Sequence, residues 1–316
     1  MMPDLLPLAV PVLAAAVASG TGILLATLGE ILAQRAGVLN LGVEGMMLTG
    51  ALAGFAIAHA TGSHGAGFAA AGAAGALLAL VHALLTVGLR ASQVVSGLAL
   101  TILGTGLSGF FGRTLTGRPL PTLPDLPVPL LADLPVAGPV LFRHDPAVYG
   151  SWLAVAAVWV LLGRTRLGLH LRAVGEDPHA AGAAGIGVAR IRCLAVVLGG
   201  GLAGLGGAYL SQVHTGMWVQ NVTAGQGWIA LALVVFALWH PGRAVAGAYL
   251  FGGITALQLR LQAAGTMVPV HFLLMLPYLA TIAILALVSS RDRRRGSLHA
   301  PAALGLPFDP EERSLR

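Results

Sequence analysis

Long apolar blocks fill most of this chain, and polar positions gather between them. Nine blocks stand out, near residues 5–28, 42–60, 66–89, 93–112, 147–163, 191–212, 224–240, 243–260 and 270–289. About 20 consecutive apolar residues cross a hydrocarbon core as a helix. The blocks are continuous, so they lack the alternation that a transmembrane β-barrel needs. The pattern predicts an all-α, polytopic transmembrane helical bundle of about nine spans. Three polar features interrupt it: "GEILAQRAGVLNLGVEGMML" (29–48), a Pro-rich loop (118–146) and a polar insert (163–192). A re-entrant piece within 29–48 would raise the count to ten.

Small residues recur inside the blocks. In "GGGLAGLGGA" (199–208), Gly200 precedes Gly204 by four positions and Ala203 precedes Gly207 by four; "AAAGAAGALLA" (69–79) is similar. Small residues one helical turn apart let backbones approach closely in a membrane, so these two blocks predict tight helix packing.

Composition agrees with this class. Of 316 residues 56% are hydrophobic and 9% charged, against about 25% charged in soluble domains. The formal net charge is +6, and every basic residue is Arg. Without Lys the chain carries no GxxxxGK[ST] phosphate loop, so it does not bind ATP in that way. The charge excess does not read as a nucleic-acid signal. Cys193 is alone, which excludes an intramolecular disulfide and disfavours a Cys-based metal site. The ten His are scattered with no HExxH pattern, so neither a catalytic centre nor a metal site is expected. The first block does not read as a cleaved signal peptide, being too long and lacking a basic lead.

Arg placement predicts orientation. With the N-terminus outside, Arg35, Arg90, Arg164, Arg166, Arg172, Arg190, Arg192, Arg243 and the run "RDRRR" (291–295) are cytoplasmic, while Arg113, Arg118, Arg143 and Arg260 fall outside. The expected layout is N-out and C-in: one transmembrane domain (1–290) with an outer loop at 113–146 and a cytoplasmic loop at 164–190, then a basic and flexible tail (291–316).

Within the cytoplasmic loop, "VGEDPHAAGAAGIGV" (174–188) predicts a short helix. Asp177 is a good N-cap, Pro178 suits the first helical position and Gly185 suits a left-handed C-cap. A helix this short is marginal alone and needs something to pack on. One reading is a simple loop with a helical turn. The other is a docking knob: Glu176 and Asp177 mark its N-terminal end, and Ala181, Ala184 and Ile186 enter a partner's groove.

The segment from Leu171 to Ser211 resembles the coupling-helix region of ABC-importer permeases of the ribose, branched-chain amino acid and nucleoside type. There a GxNPxAAxxxGI segment precedes a Gly/Ala-rich span, matched here by Gly175, Asp177 (usually Asn), Pro178, Ala180, Ala181, Gly185 and Ile186. The stretch 29–55 resembles the first signature of the nucleoside branch. The resemblance implies a permease subunit without its own motor in a bacterial plasma membrane. Its implied partners are cytoplasmic ATPase subunits that bind ATP and Mg, a second and different permease subunit, and an extracytoplasmic solute-binding protein. The implied solute is a nucleoside, with a sugar or branched-chain amino acid as the alternative. An ion-coupled transporter would favour a midplane carboxylate, and a membrane enzyme would need clustered catalytic residues; the sequence suggests neither.

Candidate path or gate residues follow from buried polarity. Asn40 reads as the N-cap of the second span, with Glu44 in its first turn, either capping backbone or pairing with Arg35 at the cytoplasmic interface, or lining an inner gate. Glu30, Gln34 and Arg35 read as an interfacial anchor. Gln93, Ser96, Thr101, Gln212, Asn221, Gln226 and Gln258 offer neutral hydrogen bonds, and Trp218 and Trp228 are either base-stacking or interfacial. Gly225 and Gly227 allow a broken or re-entrant helix.

Overall fold

Caps and prolines set the helix boundaries. The computed structural model describes residues 6–264, 269, 272–273, 275–283, 286 and 300–309. In chain order the helices are α1 (Leu6–Arg35), α2 (Val43–Thr61), α3 (His64–Ala83), α4 (Gln93–Phe111), α5 (Ala137–Leu141), α6 (Pro146–Arg164), α7 (Arg166–Glu176), α8 (Pro178–Ala183), α9 (Val188–Tyr209), α10 (Gln226–Phe236) and α11 (Pro241–Ala263). Gly62 ends α2 in the left-handed region, and Ser63 at once caps α3 by accepting from the Ala66 N–H. Ser92 caps α4. Asp145–Pro146 and His240–Pro241 place a capping side chain before a proline at the starts of α6 and α11. Single π-type turns extend α3 (Leu84–Gly88) and α9 (Leu210–His214). The loop before α6 carries α5 and a two-residue antiparallel pair, β1 (Leu126–Pro127) with β2 (Arg143–His144).

Seven helices among the described residues are long and apolar enough to cross a membrane: α1 to α4, α6, α9 and α11. The protein is thus an all-α polytopic helical bundle. The apolar block at 224–240 differs from the expected span. Its helix, α10, has 11 residues, about 16 Å at 1.5 Å per residue, half of a ~30 Å core. The preceding residues, 215–225, are non-helical and bridge to the loop between α4 and α5 through Thr116–Trp218 and Pro119–Met217. The last predicted span, 270–289, falls only partly on described residues, of which 275–283 are helical; the run 291–295 lies outside them.

α1, α2 and α9 are the inner helices, with 56%, 61% and 61% of their apolar windows buried, against 28% for α4 and 22% for α6. The reason is glycine. A Cβ on Gly199 would sit 2.6 Å from the Gly29 carbonyl of α1, one on Gly207 1.9 Å from the Met47 carbonyl of α2, and one on Gly204 2.2 Å from the Ala71 carbonyl of α3. α9 therefore meets three helices at backbone contact, as the small-residue spacing predicts. Without hydrophobic drive between helices in lipid, this close packing is a main source of cohesion.

Candidate functional site

The stretch 29–48 folds inward and holds the broken helix α10 at both of its ends. At the N-terminal end, Glu44 sits in the first turn of α2 and is 4% exposed. Its carboxylate accepts from the Thr223 hydroxyl (2.5 Å), the Gly225 N–H (2.9 Å) and the Gly227 N–H (2.7 Å). It thus caps α10, not its own helix. The first N–H groups of a helix have no internal partner and carry a partial positive charge, so an acidic side chain from a neighbour satisfies both needs. Gly225, at φ +85°, turns the chain into α10. Gly227 is needed for approach: a Cβ there would lie 2.6 Å from the Glu44 Cα.

Glu44 does not pair with Arg35; it takes the backbone-capping role, on another helix. Its neighbour Gly45 packs against Leu100 and Thr101 of α4, about 10 Å along that helix from its start. Arg35 instead donates through Nε and Nη2 to the Trp239 carbonyl, both at 3.3 Å, at the turn that follows α10. The Trp239 indole donates to Gln34 Oε1 (2.9 Å), and Gln34 Nε2 donates to Glu30 (3.4 Å). Glu30 and Gln34 are 1% and 2% exposed. The interfacial anchor expected here is a buried tie between α1 and the α10–α11 turn, because its polar groups find partners inside the bundle.

The connection between α1 and α2 satisfies its own buried backbone. The Leu39 N–H donates to Gln93 Oε1 (2.7 Å), and the Leu39 carbonyl meets His82 Nε2 (3.2 Å), whose Nδ1 meets the Ser96 hydroxyl (2.9 Å). Thr101 donates to the Leu41 carbonyl. Asn40 is not the N-cap of α2; that position is Gly42, whose N–H donates to Asn40 Oδ1 (3.0 Å), so the Asn side chain closes a local turn two residues earlier.

Glu44, Gln226 and Trp228 come together at the start of α10, with Asn221 in the loop before it. Gln226 Oε1 is buried without a partner among the described residues, Trp228 is 36% exposed, and Asn221 takes φ +57°. Gln93 and Asn40 lie apart, holding the α1–α2 connection. Trp218 is 1% exposed, packed on Phe55 and Gly112, so it has no free face for a solute. Gln212 lies in the π-turn of α9, fully buried, with Oε1 3.3 Å from His64 Nδ1. Thr223, Trp239 and His82 were not singled out as ligands of this network by sequence; the small-residue run "TAGQG" before an apolar block was the only local sign of the break.

The segment 174–188 forms its short helix as its caps dictate. Asp177 accepts from the His179 and Ala180 N–H groups (3.0 and 2.9 Å), Pro178 opens α8, and Gly185 takes φ +82°. The amphipathic α7 in front of it was not foreseen. Gly175 is buried, since a Cβ would lie 2.1 Å from the Arg35 carbonyl. Ala181 is also buried, packed with Val174 and Val188, so it faces its own chain and not a partner's groove. Pro178 is buried, while Glu176, Asp177, Ala184 and Gly185 are exposed and Ile186 is half-buried.

Comparison with known proteins places this architecture. Residues 12–285 match the family described as branched-chain amino acid transport system / permease component. The chain is 46% identical to a putative glucose ABC transporter permease protein of Haloferax volcanii, over 94% of this chain and 97% of that one. It is 34% identical to a nucleoside ABC transporter permease protein of Lactococcus lactis (91% and 93%) and 32% identical to a guanosine ABC transporter permease protein of Bacillus subtilis (90% and 92%). No solved structure matches the chain. The nucleoside assignment read from 29–55 is not the better one, because the glucose-type relative is more similar over a longer alignment. The chain belongs to the branched-chain amino acid transport permease family and is a multi-pass, non-catalytic permease subunit of an ABC importer.

Proposed function

We propose that this permease subunit imports a sugar, with α8 as the helix on which a cytoplasmic ATPase subunit docks. The 46% identity to a glucose-type permease along nearly the whole chain carries the solute reading. The nucleoside reading stands second, supported by the guanosine and nucleoside permeases at 32% and 34%. Partners in this reading are two ATPase subunits that bind ATP and Mg, a second, paired permease and an extracytoplasmic solute-binding protein. The membrane is a prokaryotic plasma membrane, since both archaeal and bacterial relatives match.

The chain is placed N-out and C-in with nine crossings. In this reading the seven long helices are joined by a crossing over 270–289, of which 275–283 are helical, and by one between α9 and α11 made of the turn-rich stretch 215–225 followed by α10. Broken helices of this kind are tolerated in a membrane only where protein satisfies the freed backbone, which is the service that Glu44 performs. Residues 113–146 then lie outside and 164–190 inside, with the tail after 290 also inside. Asn221, Gln226 and Trp228 beside Glu44 are the proposed path or gate residues.

Competition in proteoliposomes holding the complete importer tests the solute. Labelled glucose uptake should be competed by hexoses and not by guanosine or leucine; competition by guanosine at lower concentration than any hexose would overturn the sugar reading. Ala184→Asp with Ile186→Asp should abolish co-purification of the ATPase subunits if α8 is the docking helix.

A further inference from the structure

The segment 300–309, in sequence a flexible tail, lies folded against the Arg-rich end of the bundle and touches five separate parts of it. The Ala303 N–H donates to the Gly175 carbonyl at the end of α7 (2.9 Å), and the Ala302 N–H to the Glu176 carboxylate (3.4 Å). The Gly305 N–H donates to the Gly37 carbonyl in the α1–α2 connection (3.1 Å). Arg192 of α9, 2% exposed, donates from Nη1 to the Leu306 carbonyl (3.0 Å). The Phe308 ring packs on His179 of α8 at 5.1 Å and on the Val174, Ala181 and Val188 cluster. Asp309 pairs with Arg90, between α3 and α4, at 2.6 Å.

These contacts form a route. α8 has six residues and cannot hold a position alone; one side of it is closed by Phe308. The same strap bonds Gly37, four residues before the Leu41 carbonyl that Thr101 holds and seven before Glu44, the cap of α10. We infer that residues 300–309 are a coupling strap, which binds the α8 docking helix to the α1–α2 connection and so carries displacement of α8 to the Glu44–α10 contact. This rests on the reading of α8 as the docking helix. Arg192 anchors the strap: its Nε and Nη2 have no partner among the described residues, so losing the Leu306 carbonyl would leave the buried guanidinium still less satisfied.

The test uses the complete importer in proteoliposomes, with the labelled sugar or nucleoside that the wild type accumulates. A chain ending at residue 299, and Phe308→Ala in the full chain, should keep the ATPase subunits at the wild-type ratio and keep ATP hydrolysis. Uptake per ATP should fall at least tenfold in the shortened chain and severalfold in Phe308→Ala, with Phe308→Leu restoring it. In the permease alone, amide exchange over the α1–α2 connection, 36–42, should quicken at least tenfold when the strap is removed. Uptake per ATP within twofold of wild type, unchanged exchange, or loss of the ATPase subunits from the strap variants would each overturn the strap. If Ala184→Asp with Ile186→Asp leaves the ATPase subunits bound to a chain with an intact strap, the docking reading itself fails and takes the strap with it.

Discussion

The carboxylate of Glu44, at the start of α2, lies 2.7 Å from the amide nitrogen of Gly227 in the first turn of α10, across 183 positions of sequence. This contact makes a half-length helix stable inside an apolar bundle. Without it, two backbone N–H groups and the Thr223 hydroxyl would lose their acceptor in a place that water does not easily reach.

Replacing Glu44 should therefore act on folding and transport together. Each buried donor left unsatisfied costs about 1–3 kcal/mol, so Glu44→Ala should lower the melting temperature in detergent clearly and abolish uptake. Glu44→Gln keeps an acceptor oxygen and should fall between. Equal melting temperatures for Glu44→Ala and the wild type would mean that the cap contributes nothing.

The helix packing around α9 gives a paired substitution. Gly207→Ala puts a methyl 1.9 Å from the Met47 carbonyl, whereas Gly201→Ala finds its nearest neighbour, the Gly72 carbonyl, at 3.6 Å. Overpacking costs about 1–3 kcal/mol. Gly207→Ala should reduce the yield of folded protein and its melting temperature, and Gly201→Ala should leave both unchanged. Matching behaviour of the two variants would contradict the backbone contact.

Local grammar was readable in the sequence; distant partnership was not. Asp177, Pro178 and Gly185 announce α8 because caps act within a few residues. Gly200, Gly204 and Gly207 announce close packing because helical period repeats along one element. In the block at 224–240, Gly225 and Gly227 allow a break, but "GWIALALVVFALW" is uniformly apolar and hydropathy does not register where a helix starts. What starts it is Glu44, supplied from another helix. The partners of the stretch 29–48 were hidden for the same reason: Glu30, Gln34, Arg35, Asn40 and Glu44 bond to groups of this chain, most of them far away in sequence.

Asp145, just outside α6, gives a pH dependence. It caps α6 by accepting from the Ala147 and Val148 N–H groups (2.9 and 3.2 Å). Burial raises its pKa above the ordinary 3.8, and these N–H bonds and His144 offset that only in part. A raised folded value means that its contribution to stability is complete below the ordinary aspartate value and is lost as pH rises through the folded one. Tyr209, 3.5 Å away, shares the site. Asp145→Asn keeps a capping oxygen but does not titrate. Between pH 4 and pH 7 the wild type should lose melting temperature relative to Asp145→Asn. Parallel profiles would rule out this titration.

The cap of α8 allows a test that separates docking from folding. Asp177 is exposed, and both of its helix-capping bonds are local. Asp177→Ala removes an N-cap worth about 1 kcal/mol, most of what a six-residue helix has to resist fraying, but it disturbs no contact within the membrane-length helices. Asp177→Asn keeps the capping oxygen and removes the charge. Asp177→Ala should therefore fold with a near-normal melting temperature yet bind the ATPase subunits several-fold more weakly and import slowly, while Asp177→Asn should behave as wild type in all three. If Asp177→Asn fails as badly as Asp177→Ala, the charge itself makes the contact, and the capping account of this position is wrong.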